Sequence, residues 1–283
     1  MLFLVLSIIC SVSVGVIFKV ARQYPINNTQ IVAANYLFAL ALCYFFFSPD
    51  LTKVEVDAPW GIYVPLGFLL PFIFLFLAAS IKHVGIVKTD AAQRLSLFIP
   101  ILAAWLLFGE KFNGLKITAF AIALPALFLI LAKPSENTKT KWMYPAVVLI
   151  GFGLIDILFK QIALYTTLPY TTSLFVVFAL ALVIMTAVVG FEIISKKAKI
   201  NYLNLLFGAL VGLFNFGNIL FYLKAHQSFA DNPSTVFAGM NLGVIIIGSL
   251  TGIFIFKEKL SKWNYAGLLL ALGAIVLIVM SQQ

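Results

Sequence analysis

L-L-F-G-E-K-F at residues 106–112 closes one apolar segment and opens a hydrophilic turn, and F-I-F-K-E-K-L at residues 254–260 does the same. The two glutamates, Glu110 and Glu258, stand 148 residues apart. Each copy runs on into a similar apolar segment, residues 117–131 and 265–280. A recurrence at this distance divides the chain into two halves of like design.

Composition says where those halves reside. Of 283 residues, 63% are apolar and only 10% charged, and mean hydropathy is +1.08. An ordinary soluble domain carries about 25% charged residues, so this much apolar surface has no aqueous fold to hide in. The 28 phenylalanines suit lipid-facing and helix-packing surface. A polytopic membrane protein follows, with the lipid bilayer as its first partner. The net charge of +9 lies mainly in short loops between apolar runs, where Lys and Arg set orientation, so nucleic acid is not the expected partner. Cys10 and Cys43 fall inside apolar segments, which speaks against a disulfide framework or a metal site. The first apolar run lacks a basic lead and a small-residue cleavage site, so it reads as a retained helix.

Ten apolar segments approach the ~20 residues that span the hydrocarbon layer. They cover residues 2–20, 29–47, 60–80, 90–108, 115–132, 143–165, 171–194, 202–223, 233–256 and 263–280. Lipid supplies no hydrogen bonds to exposed backbone, and no barrel-like alternation is present, so the segments are helical. Asn232-Pro233 offers a cap and a first-turn proline, which starts the ninth segment. Asp90 with Gln93 three residues on resembles a capping box that would start the fourth. The polar stretch 133–142 separates a first unit, residues 1–132, from a second, residues 143–283. With the N-terminus outside, 13 of the 19 Lys and Arg fall on the inner side and 5 on the outer, Arg94 lying within a span. That bias places both termini outside.

Further echoes keep the order of the Glu-Lys turns. Phe18-Lys19 returns as Phe159-Lys160, and F-A-L-A-L at 38–42 returns at 178–182. Five helices per half is an odd number, so the second copy enters from the opposite side. The expected fold is therefore all-α: ten transmembrane helices as two inverted five-helix repeats, with substrate bound near the midplane between them. On these features the chain resembles the EamA-type branch of the drug/metabolite transporter superfamily, along essentially its whole length. The resemblance implies a secondary transporter, often an exporter, with a central cavity lined mainly by the first, third, fourth, sixth, eighth and ninth helices. Pro100 and Gly109-Glu110-Lys111 match the family pattern, while Lys257 replaces the glycine and Gly248 stands at the counterpart of Pro100.

Several polar residues lie at membrane depth. Asp156 sits mid-segment among Leu154, Ile155, Ile157 and Leu158, where an ionised carboxylate is costly unless paired, and such groups mark function by default. Lys160 follows by one turn, so the two read either as a proton or substrate site or as a packing ion pair with Lys160 reaching for the interface. Arg94 stands one turn after Asp90 and either balances it or, with Gln93 and Ser96, faces a cavity and grips an anionic group. Asn215, Asn218 and Asn241 either bind ligand or bridge helices. Asn241 is the preferred ligand contact, because Gly248 and Gly252 keep that face open. Gly208-x-x-x-Gly212, Gly239-x-x-x-Gly243 and Gly248-x-x-x-Gly252 favour close helix approach. His83 and His226 read as interfacial, and Glu110 and Glu258 as turn-structuring residues with Lys111 and Lys259.

No H-E-x-x-H, carboxylate cluster or phosphate-cradling loop occurs in the sequence, so neither an enzyme nor a nucleotide-driven pump is expected, and no cofactor. The expected activity is secondary transport, as an exporter, of a small polar or amphiphilic metabolite across a bacterial inner membrane. Amino-acid-like zwitterions come first, anionic metabolites second, with protons as a coupling ion through Asp156. The rival is a structural or lipid-interacting membrane protein. A buried polar cavity between the halves separates the two.

Overall fold

The computed structural model describes the chain except Arg22, residues 55–57, Gly85, residues 132–142, residues 166–167, Lys197, residues 258–260 and residues 282–283. The linker 133–142 and the Glu258-Lys259 turn thus lie outside the described residues, as does the side chain of Asp90.

Eleven α-helices are described: α1 (Leu2–Ala21), α2 (Asn28–Phe47), α3 (Trp60–Val84), α4 (Ile86–Leu95), α5 (Phe98–Leu106), α6 (Gly114–Leu131), α7 (Met143–Leu164), α8 (Tyr170–Lys196), α9 (Tyr202–Ser228), α10 (Pro233–Phe254) and α11 (Lys262–Met280). Eight of these are long and apolar enough to cross a membrane, and α4–α5 and α6 contribute shorter apolar stretches, Ala92–Leu106 and Gly114–Ala126. The molecule is an all-helical integral membrane protein. Its outer surface agrees, since Phe45, Phe191, Ile194 and Leu269 point outward with 63–82% of their surface exposed, a burden that lipid removes.

The fourth apolar segment departs from expectation in two ways. It begins at Ile86, four residues before the Asp90-Gln93 pair, so that pair lies inside α4 and does not cap it. It also divides into α4 and α5 around Ser96-Leu97. Pro100 has no N–H to give the Ser96 carbonyl, which instead accepts from Ile99 N at 3.0 Å in a tighter turn. The Ser96 hydroxyl meanwhile donates to the Gln93 carbonyl at 2.6 Å, and Leu97 N turns to Arg94 at 3.3 Å. Pro65 and Pro71 lie inside the continuous α3, so the break needs the serine hydroxyl as well as the proline.

Helices from the two halves interleave. α1 packs on α9 and α10, α3 on α7 and α8, α2 on α8 and α9, α4 and α5 on α7, and α6 on α11. Gly212 permits one of these approaches, because a Cβ there would lie 2.7 Å from the Asn35 carbonyl oxygen of α2. The turns after α5 and α10 share a backbone detail: Gly109 has φ +65° and Lys257, 148 residues on, has φ +53°. A lysine thus adopts the left-handed conformation that glycine takes in the first copy.

Candidate functional site

Asp156, Gln93, Arg94, Asn215, Asn218 and Asn241 all line one cavity of about 130 Å³, joined by Ser11, Ser96 and Tyr222. A site for one water needs about a tenth of that volume, so there is room for several waters or the polar part of a small metabolite. Its walls come from α1, α3, α4, α7, α9 and α10, with Leu70, Ile73, Phe74, Phe152, Phe159 and Val244 as the apolar part. Gln93 and Asn241 stand 148 residues apart, the spacing of the Glu-Lys turns, so each half places an amide at the same register.

The Asp156 carboxylate accepts the Tyr222 hydroxyl at 2.8 Å. It does not take Lys160 as its partner, contrary to the ion pair that their spacing suggested. Lys160 is wholly buried outside the cavity lining, and its amine donates to the Ala230 carbonyl at 2.8 Å and the His226 carbonyl at 3.5 Å. Four residues of helix carry Lys160 past the cavity to the α9–α10 turn, whose free carbonyls at the end of α9 attract a cation. Lys19, its counterpart in the first half, is exposed and lies over the Phe256 ring at 3.8 Å.

The asparagines both line the cavity and hold helices. Asn215 donates to Asn35 of α2 at 3.0 Å, and Asn218 accepts the Ser7 hydroxyl of α1 at 2.8 Å. Asn241 differs: its amide nitrogen bonds back to Phe237 of its own helix at 3.0 Å. Two turns on from Asn241, Gly248 has nothing within 4 Å of where a Cβ would stand, so the close helix approach expected there does not occur among the described residues. Gly252 is buried, and Gly248 is not part of the cavity lining.

Glu110 plays a larger part than shaping its own turn. It is buried, pairs with the equally buried Lys116 and not with Lys111, and accepts Ser234 N at 2.8 Å and the Ser234 hydroxyl. It therefore supplies the anion at the N-terminus of α10. Asn232 precedes the helix as expected, but its side chain accepts from Lys116 at 2.6 Å instead of capping. His226 also departs from expectation. It is buried completely within α9, between the rings of Tyr222 and Phe237. Tyr222 was not anticipated at all, yet Asn215, Asn218, Tyr222 and His226 recur every three or four residues, which is one helix face.

The model of the EamA-like transporter family matches residues 1–132. An uncharacterized protein of Haemophilus influenzae is 41% identical over 284 residues, spanning 96% of this chain and 95% of its own. The chain belongs to the EamA-like transporter family. A crystal structure at 12% identity superposes with a TM-score of 0.74, covering 98% of both chains, so the fold is shared end to end. Membership in the EamA-like family makes the protein a membrane transporter of the drug/metabolite type, a class whose members are in general not enzymes.

Proposed function

We propose that this EamA-like protein is a secondary-active exporter of a small zwitterionic, amino-acid-like metabolite, working by alternating access across a bacterial inner membrane with both termini outside. The cavity carries this reading. It lies between helices of both halves and offers a carboxylate, a guanidinium and four amides in one chamber, groups suited to an ammonium, a carboxylate and a polar backbone. A protein serving only as scaffold or lipid partner has no use for such a chamber.

Ten crossings in two inverted five-helix repeats, residues 1–132 and 143–283, complete the proposal. The packing supports it: exchanging each helix for its counterpart in the other half turns the α1–α9 contact into α7–α3 and the α2–α9 contact into α8–α3, and all four are present. The matched φ values at Gly109 and Lys257 support it too. The two repeats rock about the midplane cavity, opening it to each side in turn.

Asp156 couples the cycle to protons in this scheme. A thermal-shift panel of amino acids and small organic anions on the purified protein, followed by flux of the stabilising compounds in vesicles, tests the substrate class. Asp156→Asn is expected to abolish the pH dependence of that flux, and unchanged flux across pH removes the coupling. A panel in which no amino acid or related zwitterion is moved removes the substrate class.

A further inference from the structure

Four titratable side chains form a ladder between the cavity and the membrane face that carries the α9–α10 turn. Asp156 and Lys160 stand one turn apart on α7, and Tyr222 and His226 stand one turn apart on α9. Tyr222 Oη donates to Asp156 Oδ1 at 2.8 Å. The His226 ring meets the Tyr222 ring edge to face, with centroids 4.6 Å apart. Lys160 Nζ binds the carbonyls of His226 and Ala230 and so ties the turn to α7.

His226 is the rung that ordinary packing does not explain. It is wholly buried, yet neither ring nitrogen has a hydrogen-bond partner. Buried polar atoms are almost always matched, and an unmatched pair on one imidazole calls for a role beyond packing. Imidazole accepts a proton on one nitrogen and releases one from the other, which suits it to carry protons between two sites. The charged neighbours are few. From α7, Lys160 acts electrostatically on His226, while Glu110 of the α5–α6 turn and Asp231 of the α9–α10 turn act on Lys160. α10 faces the imidazole with the Phe237 ring at 4.8 Å. At the inner end, Gln93 and Arg94 of α4 share the cavity with Asp156.

We propose that His226 and Tyr222 relay protons between Asp156 and the membrane face bearing the α9–α10 turn. In the inward step a protonated His226 swings an N–H onto Tyr222 Oη. Tyr222 passes its hydroxyl proton to the Asp156 carboxylate and takes the proton from the imidazole. The histidine is left neutral, the tyrosine unchanged and the carboxyl protonated. When the α9–α10 turn opens, water at that face returns a proton to the buried imidazole, and the reverse sequence empties Asp156. The relay deepens the reading of Asp156 as the coupling carboxylate and specifies the side with which it exchanges.

Infrared difference spectroscopy on the protein in lipid vesicles tests the relay without any substrate. The carboxylic C=O band of Asp156, identified by its loss in Asp156→Asn, is followed after a rapid pH step. His226→Gln and Tyr222→Phe are each expected to slow the response roughly a hundred-fold, the low end of what a positioned proton carrier contributes. In His226→Gln, which removes no hydrogen bond, the final amplitude and melting temperature are expected to stay at the wild-type values, which separates relay from mere packing. Tyr222→Phe also removes the donor to Asp156, so there only the rate is read. If one variant does not fold, the other decides. Wild-type speed in a folded variant overturns the relay, and so does the absence of a pH-dependent Asp156 band. A transport panel without hits leaves this measurement unaffected, so the two readings fail separately.

Discussion

The helix pair α4–α5 and the single helix α10 sit at matching registers of the two halves, and they are built oppositely. The first is interrupted at Ser96-Leu97, where a proline and a serine hydroxyl together deprive the backbone of its regular bonds. The second runs unbroken over 22 residues, with Gly248 at the counterpart of Pro100 and a buried carboxylate from the first half fixed on its N-terminus. Both carry a cavity amide, Gln93 and Asn241. The difference teaches that similar sequences can place similar side chains in a site while giving the two walls unequal freedom. In the proposed transport cycle the α4–α5 break would serve as a hinge and α10, tied by Glu110, as a strut.

Removing the tie on the strut has the largest expected effect. Glu110→Ala leaves the Lys116 ammonium buried beside Asn232 with its charge unmatched, and strips the first turn of α10 of its acceptor. Loss of one partner from a buried pair costs about 3–5 kcal/mol. A sharply lower melting temperature in detergent is the expected reading, with Glu110→Gln intermediate. A melting temperature equal to wild type shows that α10 is not held from this end.

The next pair of changes exchanges the two designs. Gly248→Pro removes a helix hydrogen bond in the middle of α10 and sets the ring against the preceding turn, for about 3 kcal/mol or more. Pro100→Ala does the reverse, giving the Ser96 carbonyl a donor at the regular distance along the helix. Hydrogen exchange reports both directly: slower exchange across residues 96–101 in Pro100→Ala, faster exchange around residue 248 in Gly248→Pro. If α4–α5 is the moving wall, Pro100→Ala also lowers transport without lowering stability. Equal transport in wild type and Pro100→Ala removes the hinge from the cycle.

Much of this architecture was legible because a lipid-spanning helix shows itself as an uninterrupted apolar run, and nine of the expected segments begin within one residue of an observed helix. Cavity residues were legible for the complementary reason: Asp156, Arg94 and the asparagines are expensive at membrane depth, so their presence in apolar runs stands out. Partners were not legible. The spacing of Asp156 and Lys160 allowed an ion pair, but which neighbour a long amine selects depends on where α9 ends, and that is a tertiary fact. Glu110 found Lys116 and the start of α10 in place of Lys111 for the same reason. Tyr222 hid among ten tyrosines in a membrane chain rich in aromatics. Only its place on the Asn215–Asn218–His226 face set it apart.

The smallest expected effect sharpens the comparison most. A Cβ at Gly248 meets no atom within 4 Å, whereas one at Gly243, on the same helix, runs into Ile8 of α1. Gly248→Ala therefore adds a methyl to free space in a helix interior, where alanine is favoured over glycine by about 0.5–1 kcal/mol. A slightly higher melting temperature is expected. Its effect on transport then discriminates between two uses of that open face. If the space belongs to the substrate's path along the Asn241 face, a more stable protein will transport less, since the methyl fills room that the glycine had left bare. If it serves only to let α10 sit at the lipid boundary, stability rises and transport holds. The first outcome makes the glycine at the counterpart of Pro100 a functional substitution: one half yields at this register by breaking its helix, the other by thinning it.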